Sequence, residues 1–297
     1  MTVSANAKVN FTLEVFGKRA DGYHALRSVV MPISLSDTID IEVTDDGSIA
    51  SDTGYDDDLC VKAARILRFS SPVPNPSSLG AVIRVVKRIP AGGGLGGGSA
   101  DAAAVLRALN ALWEIGLSRE ELAEVGAQVG SDVPALVLGG PVIMEGRGEV
   151  VKSIGACACG DLSSDQPTSR PTDHLRTLNL VLVNPGINCS TREVYAACEA
   201  RPLGGEDLTV RMTEALQAGD LSRIAAAFMN DLQPPAVKLH PEIADALVSL
   251  KTVGVIGAIM SGSGSCVFGL VPDSATAERI SAELNFKGLQ SWPVQTL

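Results

Sequence analysis

The sequence predicts an α+β protein of two domains, and three observations carry that expectation. A β-branched run, Ala81 to Val86, enters a stretch with six glycines in seven positions, Gly92 to Gly98, and a helical period follows. The N-terminus alternates apolar and polar residues as a strand does, while residues 257–269 read as strand, Gly/Ser turn and strand. Between the halves lies a polar, aperiodic stretch at 156–177. Domains are therefore expected over residues 1–155 and 178–297, with a surface insertion between them.

Composition narrows the classes. The 297 residues are 45% hydrophobic, which is enough to bury a core, and the net charge is −10. That balance argues against nucleic acid and anionic membranes as partners. The longest apolar run, Val253 to Met260, has eight residues including two glycines, well short of a spanning helix. No basic-then-apolar leader opens the chain. The expectation is a cytoplasmic protein, monomeric or weakly dimeric, acting on a small molecule. Cysteines 60, 157, 159, 189, 198 and 266 are scattered. Cys157-Ala158-Cys159 has no second pair and no His partner, so all six read as small hydrophobes.

Taken in order, Val3, Ala5, Ala7, Val9, Phe11, Leu13 and Val15 alternate with polar residues, which puts Lys8, Asn10 and Thr12 on one side of a strand. On periodicity alone, a solvated face is the favoured reading of that side. Gly17 to His24 is a turn-rich loop in which Asp21-Gly22 is a hairpin signal, with Tyr23 and His24 beside it. Asp56-Asp57-Asp58 opens a helix from Leu59 to about Arg68 and complements its dipole. Three prolines and an Asn between 72 and 76 form the loop before the strand 81–86.

The glycine stretch then meets a helix expected from Ala102 to Trp113, with Ser99 as N-cap and Asp101 in its first turn. Backbone N–H groups and a helix dipole converge there, as a phosphate-binding loop requires. A flexible linker is the plainer reading, but linkers are rarely flanked so tightly by a strand and a capped helix. Walker A fails because Ser99-Ala100 follows the last glycine where Lys-Ser/Thr is needed. Gly92, Gly94 and Gly97 match the dinucleotide pattern, yet Glu114 closes the helix where that pattern wants an acid ending a second strand. The protein-kinase signatures are missing. A nicotinamide-dependent oxidoreductase and a catalytically silent nucleotide-binding protein stay open as alternatives.

Further on, Ser118 and Glu121 form a capping box for a helix over Glu120 to Val129. Asp132-Val133-Pro134 suits a helix start. It equally suits a carboxylate placed beside a phosphate loop to take a proton, and both readings stand. Leu178 to Val183 is a strand, and Asn184-Pro185-Gly186 its turn. Thr191 and Tyr195 lie on a short capped helix.

Pro90-Ala91-Gly92-Gly93-Gly94-Leu95-Gly96-Gly97-Gly98-Ser99 resembles the second motif of the GHMP kinases. Ala7-Lys8-Val9-Asn10, followed by Arg19-Ala20-Asp21-Gly22-Tyr23-His24, resembles the first motif of their diphosphocytidyl-methylerythritol branch. Gly130 to Pro134, Gly146 to Glu149, Cys189 to Tyr195, Asn230 to Leu232 and Gly257 to Gly269 are similar to later segments of that branch, in the same order. The resemblance implies an N-terminal ribosomal-protein-S5-like domain and a C-terminal ferredoxin-like domain, with the site in the cleft between them. It implies ATP-dependent phosphorylation of the 2-hydroxyl of a diphosphocytidyl-linked methylerythritol in non-mevalonate isoprenoid synthesis. For ATP it implies Lys87, Pro90, Gly92, Gly93, Gly94, Leu95, Gly96, Gly97, Gly98 and Ser99, with Ser99 also facing Mg²⁺. Lys8 would stabilise the transferring phosphate and Asp132 would act as base. Asn10, Tyr23, His24, Asp132, Thr191 and Tyr195 would hold the acceptor, Tyr23 and Tyr195 on either side of the cytosine. Asp58 stands where the family usually has Asn. Another GHMP kinase with a different small alcohol is the nearer alternative.

Overall fold

The computed structural model describes residues 1–19, 22–54, 57–71, 73, 75–154, 175–201 and 207–297. Asp21, Asp56, Pro72, Pro74, Cys157, Cys159 and most of the expected insertion at 156–177 lie outside them.

The N-terminal alternation folds as β1 (Thr2–Lys18), which turns back into a long antiparallel partner, β2 (His24–Thr44). Next come β3 (Ile49–Ser51), α1 (Leu59–Ser70) and β4 (Gly80–Val86), and β4 leads through the glycine loop into α2 (Gly97–Leu112). α3 (Arg119–Val129), α4 (Val133–Leu138) and the hairpin of β5 (Val142–Gly146) and β6 (Val150–Ser153) complete this half. The second half holds β7 (Asn179–Asn184), α5 (Thr191–Ala196), α6 (Leu208–Ala218), α7 (Leu221–Ala226), β8 (Met229–Asn230), α8 (Gln233–Leu239) and α9 (Glu242–Thr252). It ends with β9 (Gly257–Met260), β10 (Val267–Val271), α10 (Ser274–Phe286) and β11 (Gln290–Gln295).

Among the described residues these strands make two sheets, as an α+β chain should. The first runs β3-β4-β2-β1-β8, with β5 also on β2 and β6 on β5. The second is antiparallel, in the order β11-β7-β10-β9. Because β8 lies parallel to β1, a two-residue strand from the second half extends the first sheet.

On β1 the apolar residues behave as their period predicts: Ala5, Ala7, Val9, Phe11, Leu13 and Val15 are all buried. The polar side does not. Lys8, Asn10, Thr12 and Glu14 are at most 4% exposed, so the solvated face expected from periodicity is overturned. Periodicity reports which residues share a side, not what covers that side. Here the glycine loop sits over Lys8, whose amide donates to the Leu95 carbonyl at 3.0 Å. α6 covers Glu14, where Thr209 Oγ1 donates to Oε2 at 3.2 Å. Burial pushes the Glu14 carboxyl above the usual range in spite of that bond.

Local chemistry explains the helices that set the site. Asp58 caps α1 by accepting from the Cys60 and Val61 amides, while the capping box of Ser118 and Glu121 starts α3 as predicted. α1 runs two residues beyond its expected end, and no acidic residue occupies its first turn. Cys60, Cys189 and Cys266 are buried free thiols, in keeping with their reading as small hydrophobes. Burial pushes the Cys266 thiol up to about 12.

Three rings join the sheets. Phe11 of β1 meets Phe228 edge-on at 5.2 Å and stacks on Phe268 of β10 at 5.6 Å, and Phe228 and Phe268 meet edge-on at 5.5 Å. Phe11→Ala should therefore cost about 3–5 kcal/mol, read as a lower urea midpoint with an unchanged slope. A loss below about 1 kcal/mol would show that the trio is not the joint between the sheets.

Candidate active site

The glycine loop is seated by its carbonyls. Gly92 O accepts from the Ser265 amide at 3.2 Å and Gly93 O from the Cys266 amide at 3.2 Å. Gly94 O accepts from Lys8 Nζ at 3.1 Å and from Ser261 Oγ at 3.0 Å, and Leu95 O from the Lys8 amide. Leu95 itself is buried as the anchor of the loop. The N-cap of α2 falls three residues before the expected one. Gly96, at φ 68°, is its N-cap, Ser99 falls in the first turn and Asp101 beyond it, because Gly97 and Gly98 take helical conformation. The first intrahelical bond runs from the Ala100 amide to Gly96 O at 2.8 Å. The N–H groups of Gly97, Gly98 and Ser99 therefore stand at the positive end of the helix, as an anion site needs.

Two of these glycines are required by space as well as by conformation. A Cβ on Gly94 (φ 71°) would lie 2.1 Å from Ser261 O. One on Gly96 would lie 3.1 Å from Lys8 Cε and 3.5 Å from Asp132 Oδ2.

Lys8 and Asp132 meet beside this loop. Lys8 Nζ stands 3.4 Å from Asp132 Oδ2, with their side chains 5% and 32% exposed. Its ammonium also donates to Asn10 Oδ1 at 2.8 Å. Asn10 Nδ2 donates to Ser28 Oγ at 2.7 Å, and Ser28 Oγ donates to Thr12 O at 2.5 Å. This chain fixes the orientation of the Asn10 amide. Asp132 occupies the cap position of α4, yet its side chain accepts no amide there, and Pro134 lies in the first turn. Of the two readings of Asp132, capping is thereby removed.

Lys87 reaches the cleft in company. Its Nζ donates to Asp37 Oδ2 at 2.5 Å and to Asp101 Oδ2 at 2.6 Å. Burial pulls Lys87 down, but the two carboxylates outweigh it and the net shift is upward. Burial likewise pushes the Asp101 carboxyl up, against the pull of Lys87. Two carboxylates on one ammonium cannot both be fully compensated. Asp58 is occupied locally: Thr53 Oγ1 donates to it at 2.7 Å, beside its two capping bonds.

At the other end of the cleft, His24 and Tyr195 rings lie 5.6 Å apart at 31°. The Arg147 guanidinium stands 5.6 Å above the Tyr23 ring. Burial raises the Tyr195 phenol, and the neighbouring Asp132 charge adds to it. Thr191 Oγ1 is 2.9 Å from Ser263 Oγ in the Gly/Ser turn. That turn is held from behind by Asn230, whose Nδ2 donates to Met260 O and to Gly262 O, each at 2.8 Å.

One cleft of about 1190 Å³ is bordered by every residue that the resemblance assigns to ATP or the acceptor, from Lys8 and Asn10 through the loop to Tyr195. No local pattern marks Ser28, Asp101 and Arg147 as lining the cleft, or Asp37 as the partner of Lys87, and the sequence gives Asn230 no task. Arg147 lies in the segment Gly146 to Glu149, which connects the antiparallel strands β5 and β6. Asp37 lies in the 21-residue β2, whose pairing with β4 no local pattern announces. The dinucleotide alternative loses its framework, since α2 is followed by α3 and not by a second strand.

Residues 58–140 match the family model described as GHMP kinases N terminal domain, and residues 212–289 match GHMP kinases C terminal. The chain is 38% identical over 288 residues to the 4-diphosphocytidyl-2-C-methyl-D-erythritol kinase of Pelotomaculum thermopropionicum, covering 95% of this chain and 93% of that one. It is 36% identical over 304 residues to the protein of the same name from Symbiobacterium thermophilum, covering 100% of both. A crystal structure of 4-(cytidine 5'-diphospho)-2C-methyl-D-erythritol kinase superposes with a TM-score of 0.81 at 31% identity, covering 100% of this chain and 99% of that one. The mevalonate kinase of Methanococcus jannaschii shares the fold at a TM-score of 0.68 and 16% identity, covering 100% and 98%.

Gly94→Ala tests the seating of the loop. The added methyl must displace either the loop or the Gly/Ser turn, at a cost of about 2–4 kcal/mol in unfolding free energy by denaturant titration. A fully stable variant would mean that the two segments are not in register as described.

Proposed function

The chain belongs to the GHMP kinase family, and from that premise we propose that it transfers the γ-phosphoryl group of ATP to the 2-hydroxyl of 4-diphosphocytidyl-2-C-methyl-D-erythritol, a step of non-mevalonate isoprenoid precursor synthesis. The observation that carries this reading is the meeting of Lys8, Asp132 and the start of α2 in one cleft. The acceptor follows from the names of the relatives and from the ring-lined end of the cleft.

The residues present suit the nucleotide. A helix N-terminus, whose first amides have no intrahelical acceptor, a buried ammonium at Lys8 and a loop whose Gly93 and Gly94 leave no room for a Cβ are what a triphosphate requires. For Mg²⁺, Ser99 supplies a hydroxyl, and among the described residues no group of three His, Cys, Asp or Glu could form a cage. That donor set suits a cation held chiefly by phosphate oxygens and water. When bound, it neutralises charge on the β- and γ-phosphates.

Transfer then depends on positioning. Asp132 orients the acceptor hydroxyl and receives its proton as the oxygen–phosphorus bond forms and the bond to the β-phosphate breaks. A carboxylate is a weak base towards an alcohol, so the proton moves late, which a loose transition state permits. Lys8, paired with Asp132 at 3.4 Å, stabilises charge on the equatorial oxygens. Asn10 and His24 donate to the acceptor, and Tyr195, Tyr23 and Thr191 border the cytosine. No described helix is long and apolar enough to cross a membrane, and a small-molecule substrate suits a cleft of this size.

Asp132→Asn should lose turnover by about 10² or more while both substrates bind as before. Near-normal turnover would reject Asp132 as the base. Tyr195→Ala should raise the Michaelis constant for the acceptor with that for ATP little changed, and equal weakening of both would mark the ring as structural. ADP release assayed with the diphosphocytidyl alcohol, mevalonate and homoserine separates this reading from another GHMP kinase: turnover with either of the latter two alone would overturn it.

A further inference from the structure

We propose that Asp37 is a positioning residue for the glycine loop, acting through Lys87 as a strut between the strand that enters the loop and the helix that leaves it. The antiparallel pairing of Thr38 with Val86 puts Asp37 beside Lys87, at the point where β4 leaves the sheet. Asp37 is 0% exposed. Its Oδ1 accepts from the Arg88 amide at 2.5 Å and the Ile89 amide at 2.8 Å, while Oδ2 accepts from Lys87 Nζ. All three donors belong to the entry leg of the loop. Lys87 Nζ continues to Asp101 Oδ2 on α2, the exit leg.

A wholly buried carboxylate is costly to desolvate and is weak evidence for stability as such. Its use is specific when every bond it accepts comes from one short segment. Here that segment precedes the phosphate cradle, and the strut ties it to the helix bearing the free N–H groups. Lys87 Nζ lies 3.5 Å from where a Cβ would stand on Gly97, the first residue of that helix. Two of its three donors are engaged by Asp37 and Asp101, so its chief task is to hold the distance between the legs. The separation of Gly92 from Gly97 is thereby set before any nucleotide arrives.

The inference relies on the kinase reading only for the identity of the ligand, and its test separates the two. Asp37→Asn keeps the shape and one acceptor but removes the charge that holds Lys87. In the protein without nucleotide, amide hydrogen exchange over residues 87–99 should quicken while β1 stays protected. Calorimetric Kd for a non-hydrolysable ATP analogue with Mg²⁺ should rise about tenfold or more, with Kd for the cytidine-diphosphate acceptor within about twofold of the original. Lys87→Gln, which leaves the two amide bonds to Asp37 intact, should give the same pattern and serves if Asp37→Asn does not fold. Unchanged exchange with weakened ATP binding would make Lys87 a direct phosphate ligand and overturn the strut. Equal weakening of both ligands, or of neither, would also overturn it. An original protein that binds no ATP analogue would refute the kinase reading alone, since the exchange measurement would still decide the strut.

Discussion

The ammonium of Lys8 is the constraint on which the cleft depends. A lysine at 4% exposure must be compensated from all sides, because a buried charge without partners costs several kcal/mol. Its partners come from three parts of the chain: Asn10 on the same strand, the Gly94 carbonyl, and Asp132 at the head of α4. Each must be in place for the others to be satisfied. One cation thus brings into register segments more than a hundred residues apart.

The glycine loop is shaped by what its carbonyls meet. Gly92, Gly93 and Gly94 are tied to the Gly/Ser turn of the other sheet, and Leu95 is tied to β1. With those carbonyls engaged by protein, the loop turns the positive end of α2 toward the cleft. Glycine is needed at 94 because another backbone lies where a side chain would be. The Gly/Ser turn is in turn steadied by the two bonds from Asn230, and Asp231 accepts from the Val15 amide at 2.9 Å while pairing with Arg201.

The two halves of the chain are consequently not independent. β8 adds to the sheet of β1, the Phe11, Phe228 and Phe268 rings pack across the junction, and Thr191 meets Ser263 at the rim of the cleft. A site between two sheets gains precision when both walls share a core, since the reacting groups tolerate displacements of only about 1 Å.

What the sequence determined by itself was the local chemistry. The period of β1, the capping box of α3, the strand–loop–helix around Gly92 to Gly98 and the strand–turn–strand near the C-terminus are set by neighbours within a few residues, so they could be read directly. The resemblance in ordered motifs added the residues of the cleft. Only the tertiary structure decided what covers each face and which groups pair. Periodicity groups Lys8, Asn10 and Thr12 on one side, but whether water or a glycine loop lies over them depends on a segment some 85 residues away. Asp132 could cap a helix or face a lysine, and both fit the same five residues. Asp37 was invisible because its meaning comes from pairing with a strand 50 residues on. Local propensity fixes elements within a few residues of chain, whereas the desolvation and pairing of charges depend on every atom that packing brings near.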